Sequence, residues 1–260
     1  PKLYTNEEKE FKDFVNKKWK EKSHLFEDKK IYLDRIHEEF DLFKKQGMMS
    51  FMLFMGEMSE WCENNNIPRG YGRGSVTGSL IAYLFDITDV NPIIWNTNLA
   101  RFCNPERISL GDIDVDYAPK DRDKVYKYIE NRFGEFKTSR IMALGTISDM
   151  GTIQEIGRAL NLTIPEVNDI KKLFEENQEE AKNKYPNVFK YYDGLIDSVV
   201  RTSFHPCGIL ASPITLNDNI GLLWNDKEEI WISQCDMKEV DSLNYVKFDI
   251  LGLANIGIIK

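Results

Sequence analysis

Paired cysteines, long apolar runs and a surplus of basic charge are all missing from this sequence. The four cysteines lie far apart, with no Cys-x-x-Cys pair, which argues against a zinc cluster or a disulfide framework and favours a reducing cytosol. No apolar run reaches 18 residues, so neither a membrane span nor a signal peptide is expected. The net charge of −8, from 42 acidic and 34 basic residues, argues against a generic nucleic-acid binder but leaves room for a local basic groove.

The composition is that of an ordinary folded protein. Hydrophobic residues make up 42% and aromatic residues 12% of the 260 residues, which is enough for a hydrophobic core in one large domain or two modest ones. The chain begins at Pro1 rather than at a methionine, and it stops at Lys260 directly after an apolar segment. We therefore expect it to be a piece of a longer protein.

Apolar periodicity predicts a mixed α/β body that is interrupted by a helical insert. The predicted helices are a solvated region over residues 6–45, a methionine-rich core helix over 47–62, a buried helix over 76–85 and an amphipathic helix over Arg122–Phe133. A Met-rich binding surface is the alternative for 47–62. Residues 150–200 are predicted to be almost wholly helical, and strands are predicted for the tail segments "CGILAS", "EEIWISQC" and "NYVKFDIL".

Three aspartates occupy every second position of "GDIDVDY", namely Asp112, Asp114 and Asp116. Side chains of a strand alternate between its faces, so these carboxylates share one face while Ile113 and Val115 point into the core. Crowded carboxylates repel each other unless a cation compensates, and hard oxygen ligands select Mg²⁺, Mn²⁺ or Ca²⁺. A divalent metal site is one interpretation, and an exposed acidic strand edge or a set of helix-capping aspartates is the other.

A second charged position lies in the predicted strand "NYVKFDILGL". Its residues Val246, Phe248 and Ile250 form one face, and Lys247 and Asp249 lie on the other. A charged residue in so apolar a strand is costly to bury without a partner. If this strand lies beside the first, three carboxylates on neighbouring strands suit two Mg²⁺ ions in the arrangement used for in-line phosphoryl transfer. The alternative for Asp249 is a surface ion pair with a lysine.

The segment "GYGRGSVTGS" carries glycine at positions 70, 72, 74 and 78. Glycines let backbone N–H groups approach an anion closely, and a helix predicted to begin near Ser75 would point its positive end there. Arg73 and the hydroxyls of Ser75 and Ser79 add donors. The segment lacks the Gly-Lys-Ser/Thr of a Walker loop, and no strand precedes it as in a dinucleotide-binding fold. Beside metal-binding carboxylates, it would form a cradle for a triphosphate.

In this order, these segments resemble the palm of the C-family of bacterial replicative DNA polymerases, the family of the DNA polymerase III alpha subunits. The resemblance runs from about residue 47 to residue 258 and is carried by "GYGRGSVTGSLIAYLFDITDVNP", "RFCNPERISLGDIDVDY", "ALGTISDMGTIQEIGRAL", "TSFHPCGILAS" and "VKFDILGL". It implies an α+β fold: a polymerase-beta-like nucleotidyltransferase palm with a mixed β-sheet and an inserted helical thumb. The palm would comprise residues 1–145 and 205–260, and the thumb residues 146–204.

The resemblance also implies which residues form the site. The catalytic metal ligands would be Asp114, Asp116 and Asp249, with Asp112 as a neighbour on the same face. The cofactor would be two Mg²⁺ ions, for which Mn²⁺ could substitute. The residues that would bind the incoming nucleotide are Gly72, Arg73, Gly74, Ser75 and Ser79. Weaker candidates for contacts to phosphate or to the primer end are Arg107, Lys247 and His205.

The implied function is templated, two-metal transfer of a nucleotide to a primer 3′-hydroxyl in DNA replication. The partners would be primer–template DNA, deoxynucleoside triphosphates and, through regions outside this sequence, a sliding clamp and other replisome subunits. The expected location is the cytoplasm of a bacterial or phage-infected cell, with no membrane partner. Two other interpretations stay open: an untemplated nucleotidyltransferase, and a DNA-binding fragment without turnover of its own because the fingers are missing.

Overall fold

The structure, a computed structural model, describes residues 3–104, 113–243 and 245–259. The N-terminal part is helical and contains α1 (Glu7–Lys22), α2 (Lys29–Gln46), α3 (Met49–Asn64) and α4 (Leu80–Leu84). Then follow β1 (Asp114–Tyr117), α5 (Arg122–Phe133) and β2 (Thr138–Thr146). A helical stretch comprises α6 (Asp149–Ala159), α7 (Ile164–Glu176), α8 (Gln178–Lys184), α9 (Pro186–Phe189) and α10 (Tyr192–Leu195). The C-terminal part contains β3 (Val199–Ala211), β4 (Leu222–Asn225), β5 (Ile230–Asp236), α11 (Met237–Ser242), β6 (Val246–Gly252) and α12 (Ile256–Ile259).

Local sequence signals explain several of the helix ends. The side chain of Asp28 accepts a hydrogen bond from an amide in the first turn of α2, and Gly47 ends that helix with a left-handed φ of 69°, a conformation that glycine adopts without steric cost. Helix α7 begins with a capping box in which the side chains of Thr163 and Glu166 satisfy each other's backbone amides,. These local signals favour the observed start of α2 and α7 and the observed end of α2.

Within the described residues, six strands form one mixed sheet in the order β1-β6-β3-β2-β5-β4. Strands β1 and β6 are parallel, β3 is antiparallel to β6, and β4 is antiparallel to β5. The chain is therefore an α+β protein with a mixed sheet, as expected. On its other side β1 carries an isolated bridge between Tyr117 and Arg69, so the segment just before the glycine-rich turn is attached to the sheet.

The chain divides into two compact units, the first formed by Pro1–Ile141 with Pro206–Lys260 and the second by Met142–His205. The second unit has a hydrophobic core of its own, in which Ile153, Ile170 and Phe174 are almost fully buried. The helical insert predicted over residues 146–204 falls within this second unit. The function of this unit as a thumb stays a prediction.

The main core of the first unit packs α1 to α5 against one face of the sheet. Met49, Met52, Met55 and Met58 of α3 are each at most 1% exposed, which confirms a core helix and excludes their use as an open binding surface. On β3, Ile209 belongs to this core, while its neighbour Leu210 belongs to a smaller cluster. Because successive strand residues face opposite sides, the smaller cluster lies on the other face of the sheet.

Some predicted elements need correction. Residues up to 200 were expected to be helical, but β3 already begins at Val199, because the β-branched Val199 and Val200 favour an extended chain. The helix expected over 76–85 is confined to α4, and the residues just before it form a 3-10 turn, Ser75–Gly78. Strands β2 and β4 were not predicted.

Candidate active site

Three carboxylates come together on one face of the sheet through the pairing of β1 and β6. The register sets Asp114 opposite Asp249, with Asp116 two residues further along β1. The side chain of Asp114 is 30% exposed, that of Asp249 18% and that of Asp116 15%. Val115 and its partner Ile250, whose side chains point to the other face, are buried. Neighbouring strands thus bring together acidic residues that are far apart in sequence, as the alternation predicted. We call Asp114, Asp116 and Asp249 the aspartate cluster.

Cationic side chains lie against the aspartate cluster. The guanidinium of Arg73 has Nη1 3.3 Å from Oδ1 of Asp116 and Nε 3.7 Å from Oδ2 of Asp114. On β6, Lys247 Nζ lies 3.8 Å from Oδ2 of Asp249, so the lysine ion pair considered for Asp249 is present. Opposite charges of this kind offset the repulsion between carboxylates that share a surface.

The cluster matches a divalent metal in its donor chemistry but not as a preformed cage. Hard carboxylate oxygens on adjacent strands are the ligands that Mg²⁺ prefers. Among the described residues, however, no group of three or more Asp, Glu, His or Cys side chains is already arranged to hold an ion. The carboxylates instead form ion pairs with Arg73 and Lys247, so a metal ion would compete with these cationic side chains.

The glycine-rich turn lies directly beside the aspartates of β1. The Gly70 amide donates to the Asp116 carbonyl at 2.8 Å, and a Cβ on Gly70 would lie 3.1 Å from that of Asp116. A Cβ on Gly74 would lie 3.9 Å from Oδ2 of Asp114. The turn and the carboxylates therefore form one continuous surface, with backbone amides and Arg73 on one side and acidic oxygens on the other.

Positive φ angles explain two of these glycines. Gly72 has φ +130° and Gly74 has φ +66°, values that residues with a side chain rarely adopt. At Gly72, a Cβ would also lie only 2.1 Å from Oγ1 of Thr88, whose hydroxyl donates to the Tyr71 carbonyl at 3.2 Å. Thr88 therefore helps to shape the turn, although no motif in the sequence marks this single threonine.

The serines of the turn differ from each other in their environment. Ser75 is half-buried and begins the 3-10 turn. Ser79, expected to bind nucleotide, is fully buried: its hydroxyl donates to Oε2 of Glu39 at 2.6 Å and accepts from the Ala82 amide at 3.0 Å. It is the N-cap of α4, so we leave Ser79 out of the proposed binding surface.

Three further candidates remain, and two of them lie outside the described residues. His205 is on β3, at the end of the second unit. Asp112 and Arg107 lie outside the described residues. On the other side of β6, Gly208 of β3 is the residue paired with Asp249. Gly208 lies in the segment "HPCGILAS", and the sequence predicts no role for it.

Comparison with known proteins shows which family the chain is similar to. Residues 9–252 match the family described as "Bacterial DNA polymerase III alpha NTPase domain". The chain is 32% identical over 246 residues to the DNA polymerase III subunit alpha of Buchnera aphidicola subsp. Acyrthosiphon pisum, covering 88% of this chain and 21% of that protein. It is 30% identical to the subunits of the same name from Pseudomonas aeruginosa and Aquifex aeolicus, with 89% and 90% of this chain covered.

These relatives are much longer than the chain. The match covers 21% of the Pseudomonas aeruginosa protein and 23% of the Aquifex aeolicus protein, so the chain spans about a fifth of the relatives' length. In the part of the chain that the structure describes, none of the helices is both long enough and apolar enough to cross a membrane.

Proposed function

We propose, because the chain belongs to the family of the bacterial DNA polymerase III alpha NTPase domain, that it is the palm and thumb portion of a DNA-directed DNA polymerase. Its substrates are deoxynucleoside triphosphates and primer–template DNA. The first unit, with its mixed sheet, is the palm, and the second unit is the thumb. The observation that carries the proposal is the register of β1 and β6, which sets Asp114 opposite Asp249 beside the glycine-rich turn.

The aspartate cluster is proposed to hold two Mg²⁺ ions, or Mn²⁺ in their place. Bound Mg²⁺ would lower the pKa of the primer 3′-hydroxyl and neutralise charge on the phosphates. Asp114 and Asp116 supply oxygens from β1, and Asp249 supplies them from the neighbouring strand. Their side chains are 15–30% exposed, although Oδ1 of Asp249 is itself buried, and the apolar face of both strands stays buried.

The glycine-rich turn is proposed to hold the β- and γ-phosphates of the nucleotide. Without side chains at Gly72 and Gly74, the backbone N–H groups of the turn can approach an anion closely. Arg73 donates to the carboxylates in this structure, and a triphosphate offers it the same oxygen chemistry with a larger charge. The 3′-hydroxyl would then lose its proton to solvent and attack the α-phosphate; the new O3′–P bond forms as the bond between the α-phosphorus and the bridging oxygen breaks, and pyrophosphate leaves. Lys247 is positioned beside Asp249 to contact the substrate.

The second unit is proposed to grip duplex DNA through its phosphates, without reading sequence. Support comes from its separate hydrophobic core, which makes it a compact body carried on β2 and β3. The sliding clamp and other replisome subunits are proposed to bind elsewhere in the longer protein, because this chain covers only about a fifth of its relatives. Localisation in the cytoplasm of a bacterial or phage-infected cell follows from the same proposal.

A primer-extension assay with Mg²⁺ tests this function. The chain is expected to extend a primer slowly and in a template-dependent way, and Asp114→Ala is expected to abolish that extension. The matched control is Asp226→Ala, which removes an exposed aspartate in the turn between β4 and β5 and should extend as the wild type does. Untemplated addition would indicate a different nucleotidyltransferase, and full extension by Asp114→Ala would contradict the role of the aspartate cluster.

A further inference from the structure

Glu39, on α2, is a fully buried carboxylate at the downstream end of the glycine-rich turn. Its Oε1 accepts from the Leu80 amide at 2.8 Å, and its Oε2 accepts from the Ile81 amide at 3.0 Å and from the Ser79 hydroxyl at 2.6 Å. The first amides of α4 are thus satisfied by a side chain from another helix. The N-terminal end of α4 is occupied by this carboxylate, so a phosphate has to bind further upstream, over Gly72–Ser75.

Arg35, four residues earlier on α2, completes this arrangement. Its Nε donates to Oε1 of Glu39 at 2.7 Å, and its Nη2 donates to the Gly78 carbonyl at 2.9 Å. Helix α2 therefore holds both the carbonyl that ends the 3-10 turn and the amides that begin α4. Burial raises the pKa of Glu39, while the hydrogen bonds from Ser79, the two amides and Arg35 oppose that rise.

The 3-10 turn transmits this constraint to the glycines. Thr77 Oγ1 donates to the Gly74 carbonyl at 2.9 Å, and Thr97 Oγ1 donates to the Thr77 carbonyl at 2.8 Å. Gly78 is packed so tightly that a Cβ would lie 2.5 Å from the Asn98 carbonyl oxygen. A chain so closely held between Gly74 and Gly78 cannot shift at one end without moving the other.

We propose that Glu39 is a positioning residue: together with Arg35 it locks the glycine-rich turn in the conformation that binds triphosphate beside Asp114 and Asp116. That the turn binds triphosphate rests on the proposed function. That Glu39 and Arg35 hold the turn in one conformation does not depend on it. A buried charge is not needed to stabilise this part of the core, since well-packed apolar side chains often stabilise a core equally well or better. The four hydrogen bonds that Glu39 accepts instead define a single geometry for the start of α4.

The test replaces Glu39 by glutamine and measures two quantities in the complete chain. Glutamine keeps the shape but turns one acceptor into a donor that faces other donors, so at least one of the bonds is lost. Hydrogen exchange of peptides that cover residues 72–81 should accelerate tenfold or more. The Kd for inorganic tripolyphosphate with Mg²⁺, and for dATP with Mg²⁺, should rise by tenfold or more.

The matched control is Asp86→Asn at the other end of α4, where Lys18 and Lys22 hold the carboxylate. It removes a comparable charged network without touching the turn, so the Kd should stay within twofold of the wild type and exchange over 72–81 should be unchanged. Equal effects from both variants, or no effect of Glu39→Gln, would overturn the proposal. If Glu39→Gln does not fold, Ser79→Ala, which removes one of the four hydrogen bonds to Glu39 together with the bond from the Ala82 amide, should change both quantities in the same direction and to a smaller extent.

The two measurements separate this proposal from the proposed function. A wild-type chain that binds neither tripolyphosphate nor dATP would contradict the triphosphate role of the turn. In that case the exchange comparison between Glu39→Gln and Asp86→Asn still decides whether Glu39 locks the turn.

Discussion

Neutralising one carboxylate of the aspartate cluster should separate metal binding from folding. Asp114 is 30% exposed and its nearest cationic atom, Nε of Arg73, is 3.7 Å away, a pair worth about 1 kcal/mol or less. Asp114→Asn is therefore expected to change the free energy of unfolding by less than about 1 kcal/mol and to abolish the rise in Tm on adding Mg²⁺. Thermal unfolding with and without Mg²⁺ measures both, with Asp226→Asn as the control that keeps the rise. If the Asp114→Asn variant is still stabilised by Mg²⁺, Asp114 does not belong to the set of ligands.

Gly72 should be the most sensitive glycine of the turn. Gly72→Ala places a side chain at φ +130° and 2.1 Å from Oγ1 of Thr88, and the strained backbone alone costs about 1–3 kcal/mol. We expect a lower Tm and a Kd for tripolyphosphate with Mg²⁺ that is at least tenfold higher. Gly194→Ala is the control. A Cβ at this position would have no atom within 4 Å, and the residue lies in a helix, where alanine is favoured. Wild-type binding by Gly72→Ala would show that the turn does not hold the phosphates.

At the scale of single elements, prediction from sequence succeeded where one periodicity dominates. The boundaries of α5 were predicted as Arg122–Phe133 and are observed there, because apolar residues recur at helical spacing between polar ones. The alternation in "DIDVDY" and "VKFDILG" likewise predicted which residues of β1 and β6 are buried. Because the two strands are neighbours, the same alternation also placed Asp249 beside Asp114.

Other elements carry no such signal. Strand β2 lies inside the sheet between β3 and β5, and it buries Ser139 and Arg140 as well as Ile141, so no alternation of polar and apolar residues marks it. The role of Ser79 could not be predicted either, since its partner Glu39 lies 40 residues earlier and on another helix. Contacts between distant residues decide such cases, and a single sequence does not reveal them.

The ion pairs between α1 and the end of α4 make a separate prediction about stability. Asp86 accepts from Lys22 Nζ at 2.6 Å and from Lys18 Nζ at 3.0 Å. Asp86 has φ +61°, a left-handed conformation that asparagine tolerates. Asp86→Asn should therefore lower the free energy of unfolding at neutral pH by about 2 kcal/mol, through the loss of the charged contacts alone. Chemical denaturation at neutral pH measures this difference, and a difference near zero would contradict the role of the network.

The pH dependence of that difference has a definite sign. Burial alone would raise the pKa of Asp86, but the hydrogen bonds and charges of Lys22 and Lys18 outweigh burial and lower the pKa. A carboxyl with a lowered pKa stabilises the fold above its unfolded pKa of about 3.9 and loses this contribution as the pH falls through the folded value. The difference in the free energy of unfolding between wild type and Asp86→Asn should therefore be constant from neutral pH down to about 5 and shrink below about 4. A gap that widens on acidification would reverse the assignment.

For the whole molecule, net charge and architecture have to be considered together. A net charge of −8 opposes the approach of DNA, so any affinity of the chain for a duplex must come from local groups and should fall steeply with salt. The chain also divides into two compact units with separate cores. Metal binding is proposed for the first unit and duplex binding for the second, which predicts that each function can be removed without the other.

Removal of the helical part of the second unit tests whether duplex binding and metal binding belong to separate units. The backbones of Ile147 and Asp197–Ser198 are joined by hydrogen bonds of 3.0 and 3.2 Å, so residues 148–196 can be replaced by a short Asn-Gly turn that closes β2 onto β3. The shortened chain should keep the Mg²⁺-dependent rise in Tm, and its Kd for duplex DNA should increase by at least tenfold with a shallower salt dependence, because fewer phosphates are contacted. The full chain with Asp114→Asn is the reciprocal control, expected to bind duplex DNA normally and to lose the Mg²⁺ response. Unchanged duplex binding by the shortened chain would contradict the proposed role of the helices, since the DNA contact would then lie in the residues that remain.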